Sequence, residues 1–163
     1  MIKGGLSGAR WIEPGDYHIT LGFFGDMNRE TANDIALSLS RITQPELTLE
    51  VDRLDIFGKS KPRALIAHIK SNTSLNELHS EIEWMAKQLG ITPDKRKFLP
   101  HITLARLKGT TPLELAGFIT ARGGFYSAPF VSHELVLMSS KDSIGGGPYV
   151  TEAHYPLQNQ MIR

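Results

Sequence analysis

Apolar and polar positions alternate along several short stretches of this chain and recur at helical spacing along others. Residues 17–24 (YHITLGFF), His101–Leu107 (HITLARL) and 63–69 (RALIAHI) read as strands. Residues 47–57 alternate at Leu47, Leu49 and Val51 before drifting, and 131–138 form another Val- and Leu-rich candidate. Residues 149–156 read as an edge strand closed by proline. Leu75, Leu78, Ile82, Met85 and Leu89 share one helical stripe, which predicts a helix over 75–89. Ser74 with Glu77 gives it a capping box, and Gly90 then Pro93 stop it. A second helix is predicted over 29–42, capped by Asn28, and a shorter third over Pro112–Ala121. Strands and helices interleave without a strict βαβα rhythm. The predicted class is α+β, with helices outside mixed or antiparallel sheets.

Composition narrows the function classes. The 163 residues bound the chain to one domain or two small lobes. No apolar run reaches the roughly 18 residues that cross a bilayer, and the first twenty residues lack the apolar core of a signal peptide. Cysteine is absent, which excludes disulfides, thiolate catalysis and Cys-ligated metal sites and fits a reducing, cytoplasmic setting. Lys and Arg total 18 against 17 Asp and Glu. That balance is wrong for a general nucleic-acid coat, so any such contact must come from local clustering.

The candidate chemistry lies in a repeated tetrapeptide. His-Ile-Thr-Leu occurs at 18–21 and again at 101–104, about half the chain apart. Identity alone is weak evidence for a repeat. The residue types make it stronger. In a strand, His18 and Thr20 share one face, as do His101 and Thr103, while the Ile and Leu residues point to the other. Two such strands around one small anion supply two imidazoles and two hydroxyls. Phosphodiester cleavage without a metal needs one imidazole to accept a proton from the attacking oxygen and another to give one to the leaving oxygen. Ordinary imidazole pKa values near 6.5 suit both tasks. Threonine hydroxyls can donate to the non-bridging oxygens. Arg106 would add a guanidinium clamp. A regular strand turns Arg106 away from His101, and a bulge or the strand end would bring it back.

At these residues the chain resembles the two-histidine (2H) phosphoesterases, marked by paired His-x-Thr/Ser motifs, and more closely the RNA 2′,3′-cyclic phosphodiesterases, or LigT-like 2′-5′ RNA ligases. Further pieces carry the likeness: Ala9-Arg10-Trp11-Ile12, Phe23-Phe24-Gly25-Asp26, Leu99-Pro100, Leu137-Met138-Ser139, Gly147-Pro148-Tyr149 and Pro156-Leu157. The resemblance implies a single bilobal domain over 1–163, pseudo-twofold, with one motif strand from each lobe lining a central cleft. It implies metal-independent, cofactor-free hydrolysis of RNA 2′,3′-cyclic phosphate ends to 2′-phosphates, with 2′-5′ ligation as the reverse. His18 matches the family's acid on the 3′ leaving oxygen, and His101 the base that activates water. Thr20, Thr103 and Arg106 match the phosphate contacts. Phe23 falls where a family aromatic stacks on the terminal base. Its strand parity instead places it in the core, and both readings stay open. The family opens with a strand and helix before the first motif, whereas only 17 residues precede His18, so the first lobe is expected to be truncated at its N-terminus. The expected partner is an RNA end or a small cyclic nucleotide such as ADP-ribose cyclic phosphate, with no membrane and a monomeric state. A rival from another class is a non-catalytic RNA or nucleotide binder.

The remaining motifs are read more plainly. His68, His79, His133 and His154 lack a His-x-Thr partner and no His-x-x-x-His spacing suggests zinc, so solvated or locally bonded rings are expected. Lys95, Arg96 and Lys97 flank the second motif and read either as a backbone-steering patch or as a solvated loop. Gly145-Gly146-Gly147 is a turn rather than a phosphate loop, because no Lys-Ser/Thr follows.

Overall fold

The computed structural model describes residues 4–140 and 149–158. The glycine run at 145–147 and the family-like Gly147-Pro148 lie outside the described residues. The element order is β1 (Ala9–Trp11), a 3-10 turn (Pro14–Asp16), α1 (Arg29–Leu39), β2 (Leu47–Leu49), β3 (Val51–Phe57), β4 (Ala64–Ile69), α2 (Thr73–Gln88), β5 (His101–Leu107), α3 (Pro112–Ala121), β6 (Phe130–Ser132), β7 (Glu134–Ser139) and β8 (Val150–Pro156). The chain forms two compact units. The first holds residues up to Ile19, 50–70 and 99–129, and the second holds 20–49, 71–98 and 130 onward.

The first unit is a four-stranded antiparallel sheet in the order β1-β5-β4-β3. One face carries Leu54, Leu65, Ala67, Ile69, Ala105 and Leu107, all buried. Helix α3 covers this face with its own buried Leu115 and Phe118, and Trp11 of β1 meets Phe118 with ring centroids 6.1 Å apart. Thr111 caps α3 by accepting from the Glu114 amide. Gly58 makes the β3–β4 turn at φ +83°, where a Cβ would sit 2.2 Å from the Lys61 carbonyl oxygen. Gly8 at φ +70° does the same before β1, with a Cβ position 2.0 Å from the Lys108 carbonyl oxygen. Its own carbonyl accepts from the Lys108 amide, which starts the β1–β5 pairing.

The second unit packs α1 against α2 and holds two ribbons, β2-β6 and β7-β8. Its core includes Ile35 and Leu39 of α1, Leu75, Leu78, Ile82 and Met85 of α2, and Leu47 and Leu49 of β2. The α2 stripe lies where its spacing places it. Its cap differs: Asn72, not Ser74, accepts from the Leu75 amide and starts the helix two residues early. Gly90 closes it at φ +78°, with the Ile91 amide on Ala86 and the Gly90 amide on Lys87.

Three strand predictions need correction. Residues 47–57 divide at Glu50 into β2 and β3, which pair in different units. Residues 131–138 likewise divide at His133 into β6 and β7. Alternation continues across Glu50 through Leu47, Leu49 and Val51, so a single hydropathy pattern conceals a change of partner, whereas the Val- and Leu-rich composition of 131–138 conceals the polar run Ser132-His133-Glu134 at the second break. Residues 17–24 form no strand. Only Ile19 makes an isolated bridge, to Ile102. The edge of β5 is taken first by β1, a three-residue strand too short to have a pattern of its own.

Candidate active site

The face of the first sheet turned away from α3 carries the chemistry. Directly opposed residues of an antiparallel pair project to the same side. His68 is opposed to His101, and Ile66 to Thr103. Beyond Thr103 the register shifts: Leu65 pairs with Ala105 and Ala64 with Arg106, which leaves Leu104 as an extra residue in β5. The bulge reverses the alternation, so Arg106 returns to the face of His101 and Thr103. Of the two outcomes left open by the sequence, the bulge is the one observed.

His18 reaches the same sheet by another route. Trp11 pairs with Ala105, the Ile12 amide donates to the Leu104 carbonyl at 2.9 Å, and the chain then leaves β5 through the turn at Pro14–Asp16. It returns at Ile19, opposite Ile102. The middle residues of the two His-Ile-Thr copies are thus the pair that meets, and His18 takes the register position opposite Thr103.

Both rings are oriented by the same local device. His101 Nδ1 lies 2.6 Å from the Leu99 carbonyl oxygen, and His18 Nδ1 lies 2.8 Å from the Asp16 carbonyl oxygen. A carbonyl can only accept, so each Nδ1 carries hydrogen and each Nε2 is the atom that exchanges a proton. Phe57 packs edge-on against the His101 ring, with centroids 4.7 Å apart. Partial burial pushes the His101 pKa below 6.5; the Leu99 carbonyl opposes this, and the charges of Arg106, His18 and His68 add to the depression. His101 is therefore biased toward its proton-accepting form at neutrality.

Thr103 is half-buried and Arg106 exposed. Thr20 and Phe23 belong to the second unit and are exposed. Phe23 is 72% exposed, which rules out its core reading. The sequence singles out neither Asp52 nor the place of His68 beside this site, though it marks His68 as a solvated or locally bonded ring. Asp52 is an extra residue in β3, opposite His68, and its carboxylate holds His68 Nδ1 at 2.6 Å. His68 thus stands beside His101 with its own ring fixed. Cross-strand register places it there, and a single sequence carries no signal for that register.

The other histidines are locally bonded. His79 stacks on Phe98 at 3.8 Å, His133 meets Glu46 at 2.8 Å, and His154 meets Glu134 at 3.0 Å. Arg96 is held by Asp94 at 2.6 Å, and this pairing draws the Asp94 carboxyl down to about 2. The basic stretch at 95–97 is in this respect a self-contained turn. Among the described residues no helix is long and apolar enough to cross a membrane.

Comparison with known proteins gives a consistent result. The family model described as LigT like Phosphoesterase matches residues 2–66 and 69–149. A Bacillus subtilis protein named RNA 2′,3′-cyclic phosphodiesterase is 31% identical over 143 residues, covering 85% of this chain and 72% of that protein. An Aeropyrum pernix protein of the same name is 31% identical over 104 residues, covering 63% of this chain and 59% of its own length. Among solved structures, TT0787 of Thermus thermophilus superposes with a TM-score of 0.76 at 19% identity, covering 94% of this chain and 85% of that one. Escherichia coli LigT, solved with 3′-AMP, gives 0.68 at 23% identity, with coverages of 92% and 82%. At these identities the structures speak for the fold.

Proposed function

The chain belongs to the LigT-like phosphoesterase family, and from that membership we propose that it hydrolyses RNA 2′,3′-cyclic phosphate ends to 2′-phosphate ends by acid–base catalysis between His18 and His101. The observation that carries the reading is the matched pair of Nδ1–carbonyl bonds, which fixes hydrogen on both Nδ1 atoms and assigns proton exchange to the Nε2 atoms of two rings on one sheet face. His101 Nε2 takes a proton from water as the water oxygen bonds to phosphorus. The P–O3′ bond breaks, and His18 Nε2 gives its proton to the 3′ oxygen. The product keeps the phosphate on O2′, and the two rings end in exchanged protonation states. The lowered pKa of His101 suits the base. Arg106 and Thr103 stabilise the charge on the non-bridging oxygens. Thr20 is assigned to the phosphate and Phe23 to the terminal base, and the exposure of both leaves them open to substrate. RNA as substrate and a cysteine-free chain fit a cytoplasmic setting.

The test is an RNA oligonucleotide ending in a 2′,3′-cyclic phosphate, incubated with the chain in chelator. A 2′-phosphate product is expected. A 3′-phosphate product would reverse the roles at the leaving oxygen, and an absolute need for a divalent metal would overturn the mechanism.

A further inference from the structure

Beside the two imidazoles lies a pair of cations whose arrangement the hydrolysis of one phosphate does not explain. Arg10 of β1 and Arg106 of β5 are directly opposed. The Leu104 bulge puts Arg106 on the face of His101 and Thr103, and Arg10, its partner in register, shares that face. Both are exposed. Like charges set opposite each other on a sheet are destabilising. Three exposed cations of this chain, Arg53, Lys70 and Arg96, have acidic neighbours: Asp52 and Asp55, Glu50, and Asp94 respectively. Among the described residues neither Arg10 nor Arg106 has such an ion pair. Across β4 the next residue in this row is Ala64, which is buried and brings no charge to it. Two guanidiniums side by side, with no carboxylate between them, form a site for an anion larger than one phosphate.

We propose that Arg10 is a specificity-determining residue that binds a second phosphoryl group, the one on the 5′ side of the terminal ribose, while Arg106 serves the reacting cyclic phosphate. The inference rests on the hydrolase reading above and sharpens it. The preferred substrate is a nucleotide with phosphate on both sides of its sugar, either the last residue of an RNA strand or a 5′-phosphorylated cyclic mononucleotide. The Leu104 bulge sets Arg106 on the face of His101 and Thr103, which puts its guanidinium on the side of the reacting centre. Arg10 lies one strand further out, about 4.8 Å in the pairing direction. A guanidinium there meets the neighbouring phosphate rather than the reacting one.

Three probes separate the alternatives: a 2′,3′-cyclic mononucleotide with a 5′-hydroxyl, the same with a 5′-phosphate, and a dinucleotide ending in a cyclic phosphate. For Arg10→Gln, the ratio of kcat/KM on the 5′-phosphorylated probe to that on the 5′-hydroxyl probe falls about tenfold, and Arg10→Lys restores part of it. The dinucleotide behaves like the 5′-phosphorylated probe if the internucleotide ester is the ligand. If it behaves like the 5′-hydroxyl probe, the ligand is a free 5′-phosphate. The thermal midpoint of Arg10→Gln is equal to or above that of the parent, because a like-charge pair is relieved. Equal losses on all probes, no loss on any, or a lower midpoint would overturn the proposal. Binding of a nucleoside 3′-phosphate with and without a 5′-phosphate, measured by calorimetry, keeps this test apart from catalysis. The affinity for the doubly phosphorylated ligand falls about tenfold in Arg10→Gln, while that for the 3′-phosphate alone is unchanged. That fall without turnover of any probe would reject the hydrolase reading and keep the site. Turnover without it would do the reverse.

Discussion

His101 is delivered by a strand paired along both edges, whereas His18 is delivered by a loop that meets the same strand at one residue. Four identical residues, His-Ile-Thr-Leu, take both forms. Intrinsic strand preference is the same in the two places, so pairing decides the outcome. For β5, β4 supplies partners from His101 to Arg106, and β1 pairs the other edge over 105–107. Before His18, Pro14 and Gly15 turn the chain out in a 3-10 turn, and eight steps from Trp11 to Ile19 match only three from Ala105 to Ile102. What the two copies keep in common is smaller than a strand: a ring whose Nδ1 is tied to the carbonyl two residues back. Proton transfer requires that tie and not the strand around it.

The largest expected effects test what the copies share. His18→Ala and His101→Ala should each lower kcat/KM on a cyclic-phosphate RNA end by about 10²–10⁴, with the melting transition retained. A variant that keeps a tenth of the parent rate would remove that ring from the chemistry. A middle-sized effect tests what differs. Ile102→Pro breaks a strand that is paired on both edges and should cost roughly 2–4 kcal/mol in urea denaturation, through a lost bond and an orphaned acceptor. Ile19→Pro removes one bridge and should cost about 1 kcal/mol or less, while activity falls because His18 is no longer set. Equal stability losses would mean that the loop copy is as well anchored as the strand copy.

The smallest effect concerns His101 alone. Its pKa in the folded chain lies below 6.5. Between the folded value and the unfolded value near 6.5, the unfolded chain binds a proton that the folded chain does not. The contribution is fully present above the unfolded value and declines as pH drops through 6.5 toward the folded one. His101→Gln should therefore show a shallower loss of stability between pH 7 and 5 than the parent. Parallel curves would mean that the ring titrates alike in both states.

Helices, the α+β class and the strand His101–Leu107 were legible because each has a sustained period of its own. The His-x-Thr pairs were legible because their chemistry is carried by residue type at short spacing. Register was not. Nothing local to Asp52, His68 or Arg10 says which residue stands opposite, and that alone places His68 beside His101 and Arg10 beside Arg106. Caps were partly legible: Asn28 holds its helix as expected, Thr111 caps the third without having been singled out, and Asn72 outcompetes Ser74 because its side chain reaches the Leu75 amide. The break at Glu50 was hidden by alternation that runs through a change of partner, and the polar run Ser132-His133-Glu134 was the one visible sign of the break at His133.

Leu104 gives β5 something like a reading frame. Upstream, odd-numbered residues face the chemistry; downstream, even-numbered ones do. Deleting Leu104 would make Thr103 and Ala105 neighbours and restore plain alternation, with Thr103 and Arg106 still on the active face and Ala105 and Leu107 still inside. Straightening the strand at its present length is the true frameshift in three dimensions: it would send Arg106 toward α3 and bring Ala105 and Leu107 out, with no side chain altered. Substitutions along β5 act one position at a time, but a slip of pairing by one at Leu104 exchanges the interior and the active face for everything that follows.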